Sequence, residues 1–266
     1  MPAVKNRPGL LTLGGINPNL PLFVYLPGMD GTGELLRSQT KDLQTAFELR
    51  GLAIPPDDLS NWDELTTMVV NLIEGVLQSQ PSRSVYLCGE SFGGCLAVKV
   101  ALRAPYLIDK VILSNPATSF NQRPWLGWGG QLSYWLPESI YKASALVLLP
   151  FLSALGRMTP RERLELLDAM RSVPATTTNW RISLVSNFDV DETQLRCLQQ
   201  SVLVIASGAD QLLPSVKEAE RLVNCLPNAK MLVLPQSGHA CLLEKDVNLF
   251  RIIEDQNFLP SSDFRF

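Results

Sequence analysis

The chain has 266 residues, 46% of them hydrophobic and 18% charged, with a net charge of −3. That balance supplies a sizeable core and excludes a chain kept disordered by low hydrophobicity and high charge. It also leaves no basic stripe to neutralise a phosphate backbone, so nucleic acid is excluded as an expected partner.

The N-terminal stretch MPAVKNRPGLLTLGG has neither the apolar core of a signal peptide nor the Arg/Ser-rich amphipathic character of a transit peptide, so the expected location is the cytoplasm. Short β-rich runs follow: LFVYLP (22–27), LRGLAI (49–54), VYLCG (85–89), VILS (111–114), VLVIAS (202–207) and MLVLP (231–235). Near-continuous apolar runs of this length suit strands buried on both faces of a parallel sheet. Between them, Trp62 to Gln78, Gly94 to Ala104 and Val216 to Leu226 place apolar residues at helical spacing. The alternation predicts an α/β chain with a mostly parallel, doubly wound sheet.

The alternation breaks between Pro116 and Gln200, where no strand pattern occurs. That stretch holds Trp125, Trp128, Tyr134, Trp135 and Tyr141, an apolar run ASALVLLPFLSAL (143–155), and a charged helix pattern starting at Thr159-Pro160-Arg161-Glu162. Thr as N-cap, Pro at the first position and an acid in the first turn mark a helix start. The reading is one domain over residues 1–266 with a helical cap inserted over 119–200. The apolar run is too short to span a bilayer and contains Pro150, so it is either buried or in contact with lipid. Clustered Trp and Tyr favour a peripheral membrane contact through the cap. Trp125, Trp128, Trp135 and Leu148 are the candidate pocket residues, since apolar pockets are lined by such side chains.

Three places carry the chemistry. Gly89-Glu90-Ser91-Phe92-Gly93-Gly94 follows an apolar strand and precedes a helix, the context of a nucleophile elbow. Gly89, Gly93 and Gly94 keep side chains out of the sharp turn from which Ser91 projects. Asp210 follows VLVIASGA and is the candidate acid; Asp189 and Asp191 are rivals, less well placed because they do not directly follow a strand. His239, the single His of the chain, follows MLVLPQSG and is the one candidate base. The order Ser91, Asp210, His239 is that of an α/β-hydrolase fold, with Ser91 as nucleophile, His239 as base and Asp210 orienting the ring. The oxyanion hole is expected from the N–H groups of Phe92 and of Met29, in the loop LPGMDGTG (26–33) with Gly28, Asp30 and Gly31. That loop also reads as a phosphate cradle, but no Walker lysine follows it. Five cysteines, Cys88, Cys95, Cys197, Cys225 and Cys241, form an odd set without C-x-x-C spacing and read as reduced packing residues. No metal and no cofactor is expected.

LPGMDGTG, GESFGGCLA, LSNPATSF, ASGADQLLPS with EAERL beyond it, and SGH together resemble the hydrolase half of the plastid phytyl ester synthase family, of esterase/lipase/thioesterase type. The resemblance runs from about Pro21 to His239 and is thinnest in the cap. It implies a lipophilic ester substrate, acyl transfer to phytol or diacylglycerol as an activity, and Ser91, Asp210 and His239 on the family's triad positions. By the plastid resemblance, any membrane contact would be with a thylakoid. The family's further acyltransferase domain carries a His motif of its own, and no second His is present here. The leading expectation is therefore hydrolysis of long-chain acyl or phytyl esters through an acyl-enzyme. The alternatives are an acyltransferase working through the same Ser, and a non-catalytic module that binds an apolar ligand.

Overall fold

A computed structural model of the chain describes residues 7–120 and 138–259. Its strands are β1 (Gly9–Thr12), β2 (Leu22–Leu26), β3 (Glu48–Ala53), β4 (Val85–Glu90), β5 (Lys110–Ser114), β6 (Ser201–Ser207) and β7 (Ala229–Leu234). They form one sheet in the order β1-β3-β2-β4-β5-β6-β7, parallel throughout except where β1 runs against β3. The six expected runs all become strands. β1 is the addition: its four residues show no alternation of their own, and pairing of Gly9 with Ala53 through Thr12 with Arg50 is what makes them a strand.

The helices are α1 (Thr40–Leu43), α2 (Trp62–Leu77), α3 (Phe92–Arg103), α4 (Glu138–Leu152), α5 (Pro160–Ser172), α6 (Ala175–Ser186), α7 (Glu192–Arg196), α8 (Ser215–Cys225) and α9 (Leu249–Asp255). Period-two alternation sends successive strand residues to opposite faces. Leu22, Val24 and Leu26 of β2 therefore join one core with α2, α3 and α8, while Phe23 and Tyr25 join another with Leu43 of α1 and Leu249 and Ile253 of α9. After β2 the chain adds β3 on one side, then crosses to add β4 on the other. The crevice at the carboxyl ends of β2 and β4 is thus the point where the winding reverses, the place where open parallel sheets hold their ligands.

The described part of the insertion between β5 and β6 is helical, α4 to α7, with no strand. α5 begins as its sequence predicts: Thr159 Oγ1 accepts from Glu162 N, and Glu162 Oε2 accepts from Thr159 N at 2.7 Å. A cap of this kind contributes about 1 kcal/mol. On α4 the apolar run divides. Ala145 and Leu149 are buried, whereas Leu146, Val147, Leu148 and Phe151 are exposed. No helix among the described residues is long and apolar enough to cross a membrane. Trp125, Trp128 and Trp135 lie outside the described residues. Four cysteines are buried and unpaired as packing residues, but Cys197 is exposed, a correction that follows from its place at the solvent-facing end of α7.

Candidate active site

Ser91 is the single residue between β4 and α3. Its backbone sits at φ 52°, ψ −112°, a region that side-chain-bearing residues occupy at a cost of about 1–3 kcal/mol. Surrounding bonds hold it there. Ser91 N–H donates to Ser114 O at 3.0 Å, and Ser91 O accepts from Gly94 N at 2.9 Å and Ala117 N at 3.0 Å. The turn is too tight for flanking side chains: a Cβ on Gly93 would lie 2.0 Å from Leu26 O, and one on Gly89 would lie 2.3 Å from Gly93 O.

His239 follows the edge strand β7 and reaches Ser91 past the carboxyl ends of β5 and β6. Its Nε2 is 2.8 Å from Ser91 Oγ and its Nδ1 is 2.8 Å from Asp210 Oδ2. Asp210 is anchored in turn by its neighbours. Leu212 N and Leu213 N donate to Oδ1 at 2.8 and 3.0 Å, and the Ser215 hydroxyl donates to Oδ2. Asp210 thus caps the turn into α8 and bonds the His ring at once, because its two oxygens face different partners. The rivals serve elsewhere: Asp189 pairs with Lys99 at 2.6 Å, and Asp191 caps α7 through Gln194 N.

The loop after β2 lies against Ser91, with the Cβ position of Gly28 at 3.9 Å from Ser91 Cβ. Asp30 shapes it by accepting from Thr32 N and Thr32 Oγ1, and Gly31 turns it at φ 67°. Phe92 opens α3, so its N–H is one of the donors a helix leaves without an internal acceptor. The cap grips both loops. Buried Arg181 of α6 donates to Met29 O at 2.6 Å and Pro55 O at 3.1 Å. Ala240 N donates to Leu152 O at 2.8 Å, Gly238 N donates to Glu244 Oε1 at 2.7 Å, and Glu244 accepts from Arg157 at 2.6 Å. Neither Arg181 nor Glu244 carries a sequence signal, since Arg181 meets Met29 from 152 residues away and Glu244 joins its neighbour Gly238 to Arg157, 87 residues away. Leu148 lies on the exposed face of α4, about half accessible.

Charge in the site follows from burial and pairing. Burial opposes ionisation of Asp210, but the charge of His239 and hydrogen bonds from His239, Ser215 and Leu213 outweigh it and hold the carboxyl below its ordinary range. Burial likewise pushes His239 down, yet the Asp210 charge and hydrogen bond, with Glu90 behind them, leave it above its ordinary value of 6.5. Glu90, next to Ser91 in the chain, is itself buried and bonded by the Tyr25 hydroxyl. Burial drives Glu90 up to about 7, with Tyr25 and His239 holding it down and Asp30 adding to the rise. Among the described residues, no three His, Cys, Asp or Glu side chains gather as a metal site.

A family model described as serine aminopeptidase, S33 (Hydrolase_4), matches residues 48–246. The chain belongs to this α/β-hydrolase family. Among curated proteins this hydrolase is 32% identical to phytyl ester synthase 1, chloroplastic, of Arabidopsis thaliana over 88% of the chain. It is 29% identical to phytyl ester synthase 2 of the same plant over 92%. The chain spans only 36% and 38% of the lengths of those two relatives. It is also 26% identical to a pimeloyl-acyl-carrier-protein methyl ester esterase of Vibrio campbellii, covering 83% of this chain and 88% of that protein. Among solved structures, MenH from S. aureus superposes with a TM-score of 0.75 at 15% identity, covering 94% of this chain and 97% of that one. The carboxylesterase CesB from Bacillus subtilis superposes at 0.68 and 15%, covering 92% and 86%. These two likenesses establish the fold.

Proposed function

We propose that this hydrolase cleaves carboxylic esters through an acyl-enzyme on Ser91. The observation that carries the reading is the unbroken chain Ser91 Oγ, His239 Nε2, His239 Nδ1, Asp210 Oδ2, with both contacts at 2.8 Å. In this reading Ser91 Oγ attacks the acyl carbonyl as its proton passes to His239 Nε2, and Asp210 stabilises the resulting imidazolium. The N–H groups of Met29 and Phe92 hold the oxyanion. His239 then returns its proton to the departing alkoxide, and water, activated by the same nitrogen, releases the acid.

A fluorophosphonate probe tests this directly. The wild-type protein is expected to label and to hydrolyse a p-nitrophenyl ester, and Ser91→Ala to lose labelling and all but a small residue of the hydrolysis. Labelling that persists in Ser91→Ala would overturn the assignment, and a folded wild type silent to probe and ester would return the chain to the binding-module reading.

A lipophilic substrate is the finer reading. It is supported by the exposed apolar side chains Leu146, Val147, Leu148 and Phe151 of α4, and by the identity with phytyl ester synthase 1. The same relative favours a second reading, transfer of the acyl group to an alcohol in place of water. With a galactolipid donor and phytol present, transfer yields phytyl ester, and free fatty acid alone excludes it. We place contact with a lipid surface on the same α4 face; cosedimentation with vesicles that survives Leu146→Gln/Phe151→Gln would exclude it.

A further inference from the structure

The segment Ser114-Asn115-Pro116-Ala117-Thr118 leaves β5 beside the site, and Asn115 has none of the roles above. Its centre, Asn115, is fully buried and held at φ 43°, a left-handed conformation that Asn tolerates better than most residues. Asn115 N–H donates to Ile205 O on β6 at 2.9 Å. The side-chain oxygen accepts from Ser207 N at 2.8 Å, while Nδ2 donates to His239 O at 2.7 Å and to Ser207 Oγ at 2.8 Å. Ser207 lies three residues before Asp210, and Asp210 N–H returns to Ser207 O at 3.4 Å.

The residues on either side hold the nucleophile. Ser114 O accepts from Ser91 N, and Ala117 N donates to Ser91 O, each at 3.0 Å. Pro116 packs on the elbow helix, where a Cβ on Gly94 would lie 2.6 Å from Pro116 Cβ. One short segment is therefore bonded to the backbone of Ser91, to the strand that delivers Asp210 and to the backbone of His239. Only a carboxamide supplies two N–H donors and an acceptor in one plane, so neither Asp nor an aliphatic residue makes the same three bonds.

We propose that Asn115 is a positioning residue that sets His239 against Ser91. The role rests on the serine-esterase reading. Asn115 touches no substrate in this account; it acts by holding the carbonyl of the base while its own backbone neighbours hold the nucleophile. Small misplacements of a base are expensive in rate, with a shift near 1 Å reaching about 10²-fold.

The test compares probe-labelling rate, ester-hydrolysis kinetics and thermal midpoint for the full chain and its variants. Asn115→Asp keeps the shape and the acceptor for Ser207 N but loses both donors; Asn115→Ala loses all three bonds. Thr118→Val is the control, because Thr118 donates from the same segment to buried Glu218, away from Ser91, Asp210 and His239. Both Asn115 variants are expected to lower kcat and the labelling rate about 10²-fold, with KM within about threefold of wild type. Thr118→Val is expected to lower the midpoint and to label at the wild-type rate. Should Asn115→Ala fail to fold, the near-isosteric Asn115→Asp decides alone. Folded Asn115→Asp labelling at the wild-type rate overturns the proposal, as does an equal slowing by Thr118→Val. A wild type that does not label overturns the esterase reading and this one with it, whereas a reactive wild type with unaffected Asn115 variants overturns only the positioning role.

Discussion

Replacing Ser91 by alanine will lower kcat for an ester by about 10⁶-fold, replacing His239 by alanine will lower it as much, and the double replacement will lower it no further. In the proposed mechanism the two side chains perform one event. Ser91 Oγ attacks only as Nε2, 2.8 Å away, removes its proton, so losing either partner removes the whole step. No second imidazole can substitute, because His239 is the single His of the chain. A residual rate about 10³- to 10⁴-fold above the uncatalysed one should survive in all three variants, since the oxyanion donors and the binding of substrate remain. The measurement is steady-state hydrolysis of a p-nitrophenyl ester by proteins with matched thermal midpoints. Losses that multiply in the double variant would mean that Ser91 and His239 act in separate steps, and the acyl-enzyme reading would fall.

Asp210→Asn will lower kcat by about 10⁴-fold while leaving the fold intact. The direction of the new amide follows from the structure. Leu212 N and Leu213 N both donate to Oδ1, so the amide oxygen stays with them and the NH₂ group takes the place of Oδ2, facing His239 Nδ1. Nδ1 must then accept, the ring proton moves to Nε2, and Nε2 can no longer take the proton of Ser91. The pH profile supplies an independent sign. The base works only when neutral, so kcat/KM falls as pH drops through the pKa of His239, which Asp210 and Glu90 hold above 6.5. Removing the charge of Asp210 moves this acid limb to lower pH. Glu90→Gln moves it the same way by a smaller amount, because Glu90 ranks behind Asp210 among the influences that raise His239. An unmoved acid limb in Asp210→Asn would show that the titrating base is not His239 in contact with Asp210.

How far the sequence carried these conclusions depends on the range of each interaction. The turn at Ser91 is legible because its demands are local: a strand, a helix and three glycines within six residues. Asp210 and His239 are legible because each follows an apolar run that can only be a strand, and residues just past parallel strands share one edge of the sheet. LSNPATSF stands out as a motif of the resembling family, yet the function of Asn115 depends on Ser207 and His239, 92 and 124 residues away. Strand β1 is invisible for the same reason, since its partner β3 begins 39 residues on. The apolar run at α4 carries no signal of which side it buries: Ala145 and Leu149 pack inward, whereas Leu146, Val147, Leu148 and Phe151 face solvent.

The sequence by itself determined the class of sheet, the chain order of Ser91, Asp210 and His239, and the uniqueness of the base, because strand burial and turn chemistry are written in neighbouring residues. Only the tertiary structure decided that Asp210, rather than Asp189 or Asp191, meets the ring, that Arg181 and Glu244 tie the cap to both loops, and that the segment around Asn115 bonds the backbones of both Ser91 and His239. Those contacts join segments from 29 to 152 residues apart, and their geometry exists only once the sheet has brought its carboxyl ends together.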